Sequence, residues 1–313
     1  MNALRNHFQA VVIFIPLTLT GQAAVPDRHP VPLLTYITTW GRPGNDAGEF
    51  TNPGAVAADP SGFLYVSDTG NNRIQKLDAY GEMVKTVGGF GWGNDQLNMP
   101  AGLSAANGLD VFVADNNNGR IVRYDKDLHF ISAFGSGDEW PGDLQFGFPL
   151  DVGITRQGEL FCLDGENQRI LKLNAGGEPQ ITFGDIEAGR GRLMSPSRMH
   201  ISPGGRVYIS DRELQSVLVY DIYGNFLFTF GHNRMNKPSG MTWIPPGILA
   251  VADPSGPSVL FFSADGEYLH QLNSSADSPY LFAEPVDVTL HRNRIYILDR
   301  KNACIHVFEY QIN

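Results

Sequence analysis

The chain has 313 residues, of which 42% are hydrophobic, and it carries 35 Gly and 20 Pro. This length suits one large domain of repeats or two ordinary domains, and the many short β-rich runs between Gly and Pro favour an all-β fold over a helical one. The formal net charge of −10 argues against general binding to a nucleic-acid backbone, which requires a basic surface.

The first predicted element is an export leader, residues 1–23. Arg5 precedes an apolar run over residues 11–19, and Gly21 and Ala23 occupy the small-residue positions of a signal-peptidase site. The apolar run is too short to span a bilayer comfortably. Cleavage predicts a periplasmic or secreted protein with no membrane span, whereas an uncleaved leader would be retained as an N-terminal anchor.

An aspartate at the end of a short β-rich run recurs along the rest of the chain. The aspartates are Asp68, Asp115, Asp164, Asp211, Asp253 and Asp299, at intervals of 47, 49, 47, 42 and 46 residues. Each unit opens with a proline: Pro53, Pro100, Pro149, Pro196, Pro238 and Pro285. A period in the forties with four short strands per unit is typical of β-propeller blades.

The last unit lacks a fourth strand, because only CIHVFEYQIN remains after its aspartate turn. The segment LLTYITTWG, residues 33–41, precedes the first unit and ends in Gly like the other fourth strands. We therefore predict a single six-bladed β-propeller of four-stranded antiparallel blades over residues 33–313, after a linker at 24–32. The N-terminal strand completes the last blade and closes the ring, which leaves no unpaired strand edge at the seam.

The pattern P-x-x-V…G-x-L-Y-V-x-D-x-x-N-x-R-I-x-x-x-D-x-x-G over residues 53–81 resembles the NHL repeat. The resemblance covers almost the whole chain after the leader and is strongest in the first three units, where an arginine stands five residues after the aspartate. The later units carry Ser216, Ser258 and Cys304 at that position. The resemblance implies a six-bladed propeller of a bacterial-type exported protein.

Two further features are predicted to support the fold rather than chemistry. The regular recurrence of the aspartates indicates that they accept hydrogen bonds from the turn that follows, with the arginines bracing that turn. Cys162 occupies a buried strand position, and Cys304 lies three blades away. Because opposite blades hold their Cα atoms too far apart, we expect no disulfide.

The loops that join each fourth strand to the next proline are predicted to form a binding face around the central channel. They carry aromatic residues interleaved with carboxylates, and Trp92 and Trp140 are the candidates for contact with a partner. The alternative is that aromatic residues here plug gaps between blades, which we expect for Phe50 and Phe148.

The channel mouth is a second candidate site. Asp151, Arg198 and Asp287 each lie two residues after a blade-opening proline, and His200 follows on the same side of its strand as Arg198. These four residues are predicted to hold a small polar ligand. The alternative is an Asp151–Arg198 ion pair, with Asp287 capping a loop amide and His200 filling space.

Several six-bladed relatives are enzymes, and their resemblance implies metal sites. The amidating lyase of peptide-hormone maturation implies zinc held by histidines, one of them directly after the blade-opening proline. The gluconolactonase-like group implies a divalent metal held by acidic and amide side chains. In this chain the residues after the six prolines are Gly54, Ala101, Leu150, Ser197, Ser239 and Val286. That set lacks the expected metal ligands.

We therefore expect no metal, no cofactor and no catalytic residue set. The sequence predicts a binding module for a protein partner or a small polar ligand, in a periplasmic or extracellular assembly and without nucleic acid. The alternative is a metal-dependent hydrolase or lyase with a non-standard site at the channel mouth. The sequence leaves the oligomeric state open.

Overall fold

The computed structural model describes residues 32–135, 140–155 and 157–312. The predicted leader and all but the last residue of the predicted linker lie outside the described residues. In these three ranges 24 β-strands form six four-stranded antiparallel sheets, each of which is one blade of a ring. The prediction of a six-bladed all-β propeller is confirmed.

The innermost strand of each blade starts at or shortly after the opening proline, and the second strand ends on the recurrent aspartate. The innermost strands are β2 (Ala55–Ala58), β6 (Pro100–Ser104), β10 (Pro149–Ile154), β14 (Pro196–Ile201), β18 (Met241–Ile244) and β22 (Pro285–His291). The second strands are β3 (Leu64–Asp68), β7 (Asp110–Asp115), β11 (Leu160–Asp164), β15 (Arg206–Asp211), β19 (Ile248–Asp253) and β23 (Arg294–Asp299). Each innermost strand contacts the innermost strands of both neighbouring blades, so the six enclose a central channel.

The third strand of each blade is mostly buried, whereas several fourth strands alternate between exposed and less exposed residues, as expected for an outer strand with one side in water. The third strands are β4 (Arg73–Leu77), β8 (Arg120–Asp125), β12 (Arg169–Leu173), β16 (Ser216–Asp221), β20 (Ser258–Ser263) and β24 (Cys304–Ile312). The fourth strands are β5 (Met83–Gly88), β9 (Phe130–Gly135), β13 (Pro179–Phe183), β17 (Phe226–Phe230), β21 (Tyr268–Asn273) and, in the last blade, β1 (Pro32–Trp40). Short 3₁₀ turns lie at Thr69–Asn71, Asn116–Asn118, Gly142–Leu144 and Gly189–Gly191.

The first strand of the chain closes the ring. Strand β1 pairs antiparallel with β24, with Leu34 opposite Tyr310 and Trp40 opposite Ile305. The Trp40 ring packs 5.6 Å from the ring of Tyr296 in the same blade. The predicted closure is confirmed, and the strand begins at Pro32, the last residue of the predicted linker.

The core lies between blades, where the faces of neighbouring sheets pack together. Around the seam, for example, Val56 and Leu64 of the first blade share one cluster with Val286 and Ile305 of the last. Cys162 is fully buried in a core of this kind, and both cysteines are unpaired, as predicted. Among the described residues, no helix is long and apolar enough to cross a membrane.

Candidate functional site

The recurrent aspartates hold the loop face together. We define the loop face as the surface formed by the six loops that lead into the innermost strands and the six turns between second and third strands. Asp115 accepts the Asn98 N–H from the loop at 2.7 Å and the Asn118 amide from the turn at 2.8 Å. The other five aspartates also accept from both places. Their predicted structural role is confirmed, and it includes the preceding loop.

The arginines of the first three blades brace the same loops. Arg120 Nε donates to Asp115 at 2.8 Å, and its terminal nitrogens donate to the backbone carbonyls of Trp92, Gly93 and Gln96. Arg73 and Arg169 make equivalent contacts in their blades. In the described parts of these loops the main chain is therefore held at several points, and exposed side chains such as Trp92 project from this braced backbone.

The residues that plug the gaps between blades lie three positions before each proline. They are all buried and apolar: Phe50, Leu97, Phe146, Leu193, Met235 and Phe282. The prediction was right for Phe50 and wrong for Phe148, whose side chain is 53% exposed. Phe148 lies one residue before its proline with φ at +48°, and this backbone conformation turns the side chain outward.

Large apolar side chains are exposed on four of the six loops of the loop face. We call this set the apolar rim; its members are Phe90, Trp92, Met99, Phe148, Ile186 and Leu281, all exposed. Trp92 is 67% exposed. Trp140 differs, because it is partly buried and packs 6.2 Å from the Phe146 ring. Of the two predicted tryptophans, Trp92 thus presents most of its surface for contact.

Asp151 and Asp287 are buried at equivalent positions on either side of the channel. The carboxylate of Asp151 accepts the N–H groups of Val152 and Met199, and that of Asp287 accepts those of Val288 and Val56. Each aspartate thereby links its own blade to the next one.

The environment of these two carboxyls raises their pKa values. Burial raises the pKa of Asp151 to about 6 and that of Asp287 to about 7, although the charge of Arg198 opposes both shifts. The preceding blade offers Gly102 beside Asp151 and Gly240 beside Asp287. A Cβ atom at either glycine would lie within 1.9 Å of the aspartate Oδ1. Only glycine leaves room for these carboxyls.

Arg198 spans the channel. One terminal nitrogen donates to the Gly54 carbonyl of the opposite blade at 2.7 Å, and the other donates to the Ser197 carbonyl at 3.0 Å. Its side chain therefore reaches backbone oxygens, and no ion pair with Asp151 is present in the described structure. Arg198 thus acts on Asp151 through its charge without a direct ion-pair contact, while Asp287 accepts backbone N–H groups as the ion-pair alternative expected.

His200 lies on the same strand as Arg198 and contacts the next blade. Its Nε2 accepts the Trp243 N–H at 3.2 Å. Burial lowers the pKa of His200 to about 4, so the ring is neutral at physiological pH. The structure thus gathers Asp151, Arg198 and Asp287 around the channel and holds His200 against the neighbouring sheet. Ligand binding by the four residues stays a prediction.

Two further arginines at the channel mouth were not among the residues predicted from the sequence. Arg212 and Arg300 directly follow the recurrent aspartates of the fourth and sixth blades, and both are partly exposed on the loop face. Arg300 Nε donates to the Pro53 carbonyl at 3.4 Å, and its Nη1 lies 3.3 Å from Glu284 Oε1. The sequence signal was available, because the same position is uncharged in the other four units: Thr69, Asn116, Gly165 and Pro254.

A separate shallow cleft of about 340 Å³ opens beside the last blade, where it is lined by Tyr280, Cys304 and His306. The Cys304 sulfur lies 3.6 Å from His306 Nε2, and His306 Nδ1 lies 3.0 Å from the Thr39 hydroxyl. Burial raises the pKa of the Cys304 thiol to about 12, so this pair holds no thiolate nucleophile at neutral pH. In the described ranges, no three His, Cys, Asp or Glu side chains converge to hold a metal ion.

The NHL repeat family profile matches residues 50–77 and 97–124, so the chain contains NHL repeats. A probable peptidyl-alpha-hydroxyglycine alpha-amidating lyase of Caenorhabditis elegans is 28% identical over 138 residues, 42% of this chain and 39% of the relative. NHL repeat-containing protein 3 of Homo sapiens is 26% identical over 243 residues, 70% of this chain and 62% of the relative. The chain therefore spans less than two thirds of both curated relatives.

Solved structures support the fold. A gluconolactonase of Xanthomonas campestris superposes with a TM-score of 0.65 at 16% identity, over 85% of this chain and 88% of that one. At this level of identity the likeness concerns the propeller architecture, on which unrelated functions occur.

Proposed function

We propose that this NHL propeller is a binding module that receives a protein partner on its loop face. The observation that carries the proposal is the apolar rim. Its members project from loops whose main chain the recurrent aspartates hold, together with an arginine in the second and third blades, so little backbone entropy is lost when they contact a partner.

The distribution of exposed residues favours a polypeptide over a small molecule as the partner of the rim. The rim residues come from four of the six loops, which makes a broad surface rather than one enclosed pocket. Aromatic side chains such as Trp92 are the residues that most often dominate the energy of protein interfaces.

The test compares aromatic residues on the two faces of the propeller. The double variant Trp92→Ala/Phe148→Ala removes rim aromatics, whereas Tyr80→Ala/Tyr223→Ala removes exposed aromatics from the hairpins of the opposite face. Partners captured from an envelope extract and identified by mass spectrometry should be lost with the first variant and kept with the second. Equal recovery with both variants would contradict the proposal.

Export to the periplasm or the cell exterior belongs to the proposal as well. It is supported by the leader pattern of residues 1–23. Amino-terminal sequencing of the protein purified from the cell envelope should find a start near residue 24. A start at Met1 would contradict cleavage.

A metal-dependent hydrolase or lyase is the second candidate, because part of the chain is similar to the probable amidating lyase. Metal analysis of the purified protein distinguishes the two. A stoichiometric ion that a chelator removes would favour the enzyme, and its absence would favour the binding module.

A further inference from the structure

Three arginines converge at the loop-face end of the channel, in a chain whose formal net charge is −10. We call Arg198, Arg212 and Arg300 the arginine mouth. Arg198 and Arg300 donate to the carbonyls of the adjacent residues Gly54 and Pro53, so their guanidinium groups meet at one point of the first blade. Burial, followed by the charges of Arg198 and Arg300, lowers the pKa of Arg212 to about 10, as expected for a third cation beside them.

The arginine mouth contains hydrogen-bond donors that lack acceptors. Nε of Arg198 and Nε of Arg212 are both buried without a partner in the described structure. Arg198 is only 7% exposed. In the same ranges the guanidinium of Arg212 has no hydrogen bond and no ion pair. Because buried donors in folded proteins are almost always satisfied, these nitrogens indicate an acceptor that the chain itself does not supply.

The carboxyl groups near the mouth do not fill this role. Nε of Arg198 and Nε of Arg212 make no hydrogen bond to them in the described structure; Glu284 accepts from Arg300, and the oxygens of Asp151 and Asp287 accept backbone N–H groups. Arg212 and Arg300 lie in turns of the loop face and are partly exposed, so a ligand can reach them from solvent.

We propose that the arginine mouth binds a small oxyanion, namely a carboxylate or phosphate group. Guanidinium groups recognise both with paired, charge-assisted hydrogen bonds. The oxyanion is either a free ligand or a group carried by the protein partner. The inference deepens the proposed function and rests on it only for the second of these sources.

Isothermal titration calorimetry tests the proposal with inorganic phosphate and with succinate, at pH 6.5 and low ionic strength. The wild-type protein should bind at least one of them, and added NaCl should weaken the binding. Arg212→Gln should weaken it about tenfold or more, because hydrogen bonds to a charged group are lost. Arg212→Lys keeps the charge but not the planar guanidinium, so its affinity should lie between that of wild type and that of Arg212→Gln.

The matched control is Arg190→Gln. Arg190 is exposed on a loop of the same face, so this change removes the same charge from the molecule without touching the mouth. It should leave the affinity within about twofold of wild type, since exposed charges contribute little to a specific site. Thermal melts of all variants establish that they are folded. Absence of binding to wild type, or equal weakening by Arg190→Gln and Arg212→Gln, overturns the proposal.

One further comparison distinguishes a free oxyanion from one that the partner carries. It also tests the two proposals independently of each other. If the partner carries the oxyanion, Arg212→Gln should reduce partner recovery, and phosphate should compete with the partner. If the ligand is free, recovery depends on the rim and not on Arg212. Oxyanion binding without any rim-dependent partner would refute the proposed function alone, and rim-dependent capture without oxyanion binding would refute this inference alone.

Discussion

At the scale of single residues, side chains that recur in every blade and side chains that depart from the repeat indicate different roles. Asp68 and its five counterparts recur in every blade, and their hydrogen bonds explain this, because each blade needs the same joint between loop and turn. Arg212 and Arg300 break the pattern at the next position, and they stand at the channel mouth. The sequence shows this departure but not that the position faces the channel, so their place at the mouth could not be deduced from it.

His200 gives a prediction at the same scale. Its pKa is lowered from 6.5 to about 4, so between these values the unfolded chain takes up a proton that the folded protein does not. The free energy of unfolding therefore receives a contribution that is present above pH 6.5 and is lost as the pH falls towards 4. Gln does not titrate and offers an oxygen to the Trp243 N–H. His200→Gln should lose less stability than wild type in urea unfolding between pH 6.5 and pH 4.

Two other groups act in the opposite sense in that window. The raised pKa values of Asp151 and Asp287 add stability as the pH falls from about 7 towards 4, but both groups are present in both proteins and cancel in the comparison. His232→Gln, at an exposed histidine, is the control and should follow wild type. Parallel pH profiles for wild type and His200→Gln would show that the imidazole titrates normally.

At the scale of elements, the strands were far more predictable than the loops. Strand positions follow from the recurring apolar pattern and from the proline and aspartate at fixed spacing, which is why the sequence predicts even β1. The loops into the innermost strands differ in length, and the sequence contains two phenylalanines, Phe146 and Phe148, within three residues of one proline. Backbone dihedral angles decide which of them is buried.

A matched pair of substitutions follows from this difference. Phe146 is buried in the plug position between blades, so Phe146→Ala should lower the free energy of unfolding by about 3 kcal/mol or more. Phe148 projects into solvent, so Phe148→Ala should change it by less than about 0.5 kcal/mol. Chemical denaturation of the two variants measures both values. Equal costs would mean that both rings are packed, and would also remove Phe148 from the apolar rim.

At the scale of the whole molecule, the blades are joined into a ring whose loop face combines two chemically different zones. The apolar rim lies on the loops, and the arginine mouth lies at the centre, where innermost strands and turns from several blades meet. This division follows from topology, because residues far apart in the sequence reach the axis only when the ring is closed. Gly54 and Arg198, for example, are in contact although 144 residues separate them.

Closure itself yields the last prediction. Strands β1 and β24 are antiparallel with Pro32 opposite Ile312, so the start of the first strand lies beside the end of the last. A short hairpin loop from residue 312 to residue 32, with new termini between the exposed residues Asp46 and Ala47, makes every blade continuous in sequence. Because this circular permutant keeps all 24 described strands and all their pairings, it should unfold cooperatively with stability close to that of wild type.

The contrasting variant begins at residue 41 and lacks β1, which leaves β24 as an unpaired edge. It should lose cooperative unfolding and resist proteases poorly. A stable, protease-resistant variant without β1 would mean that the ring does not depend on its seam.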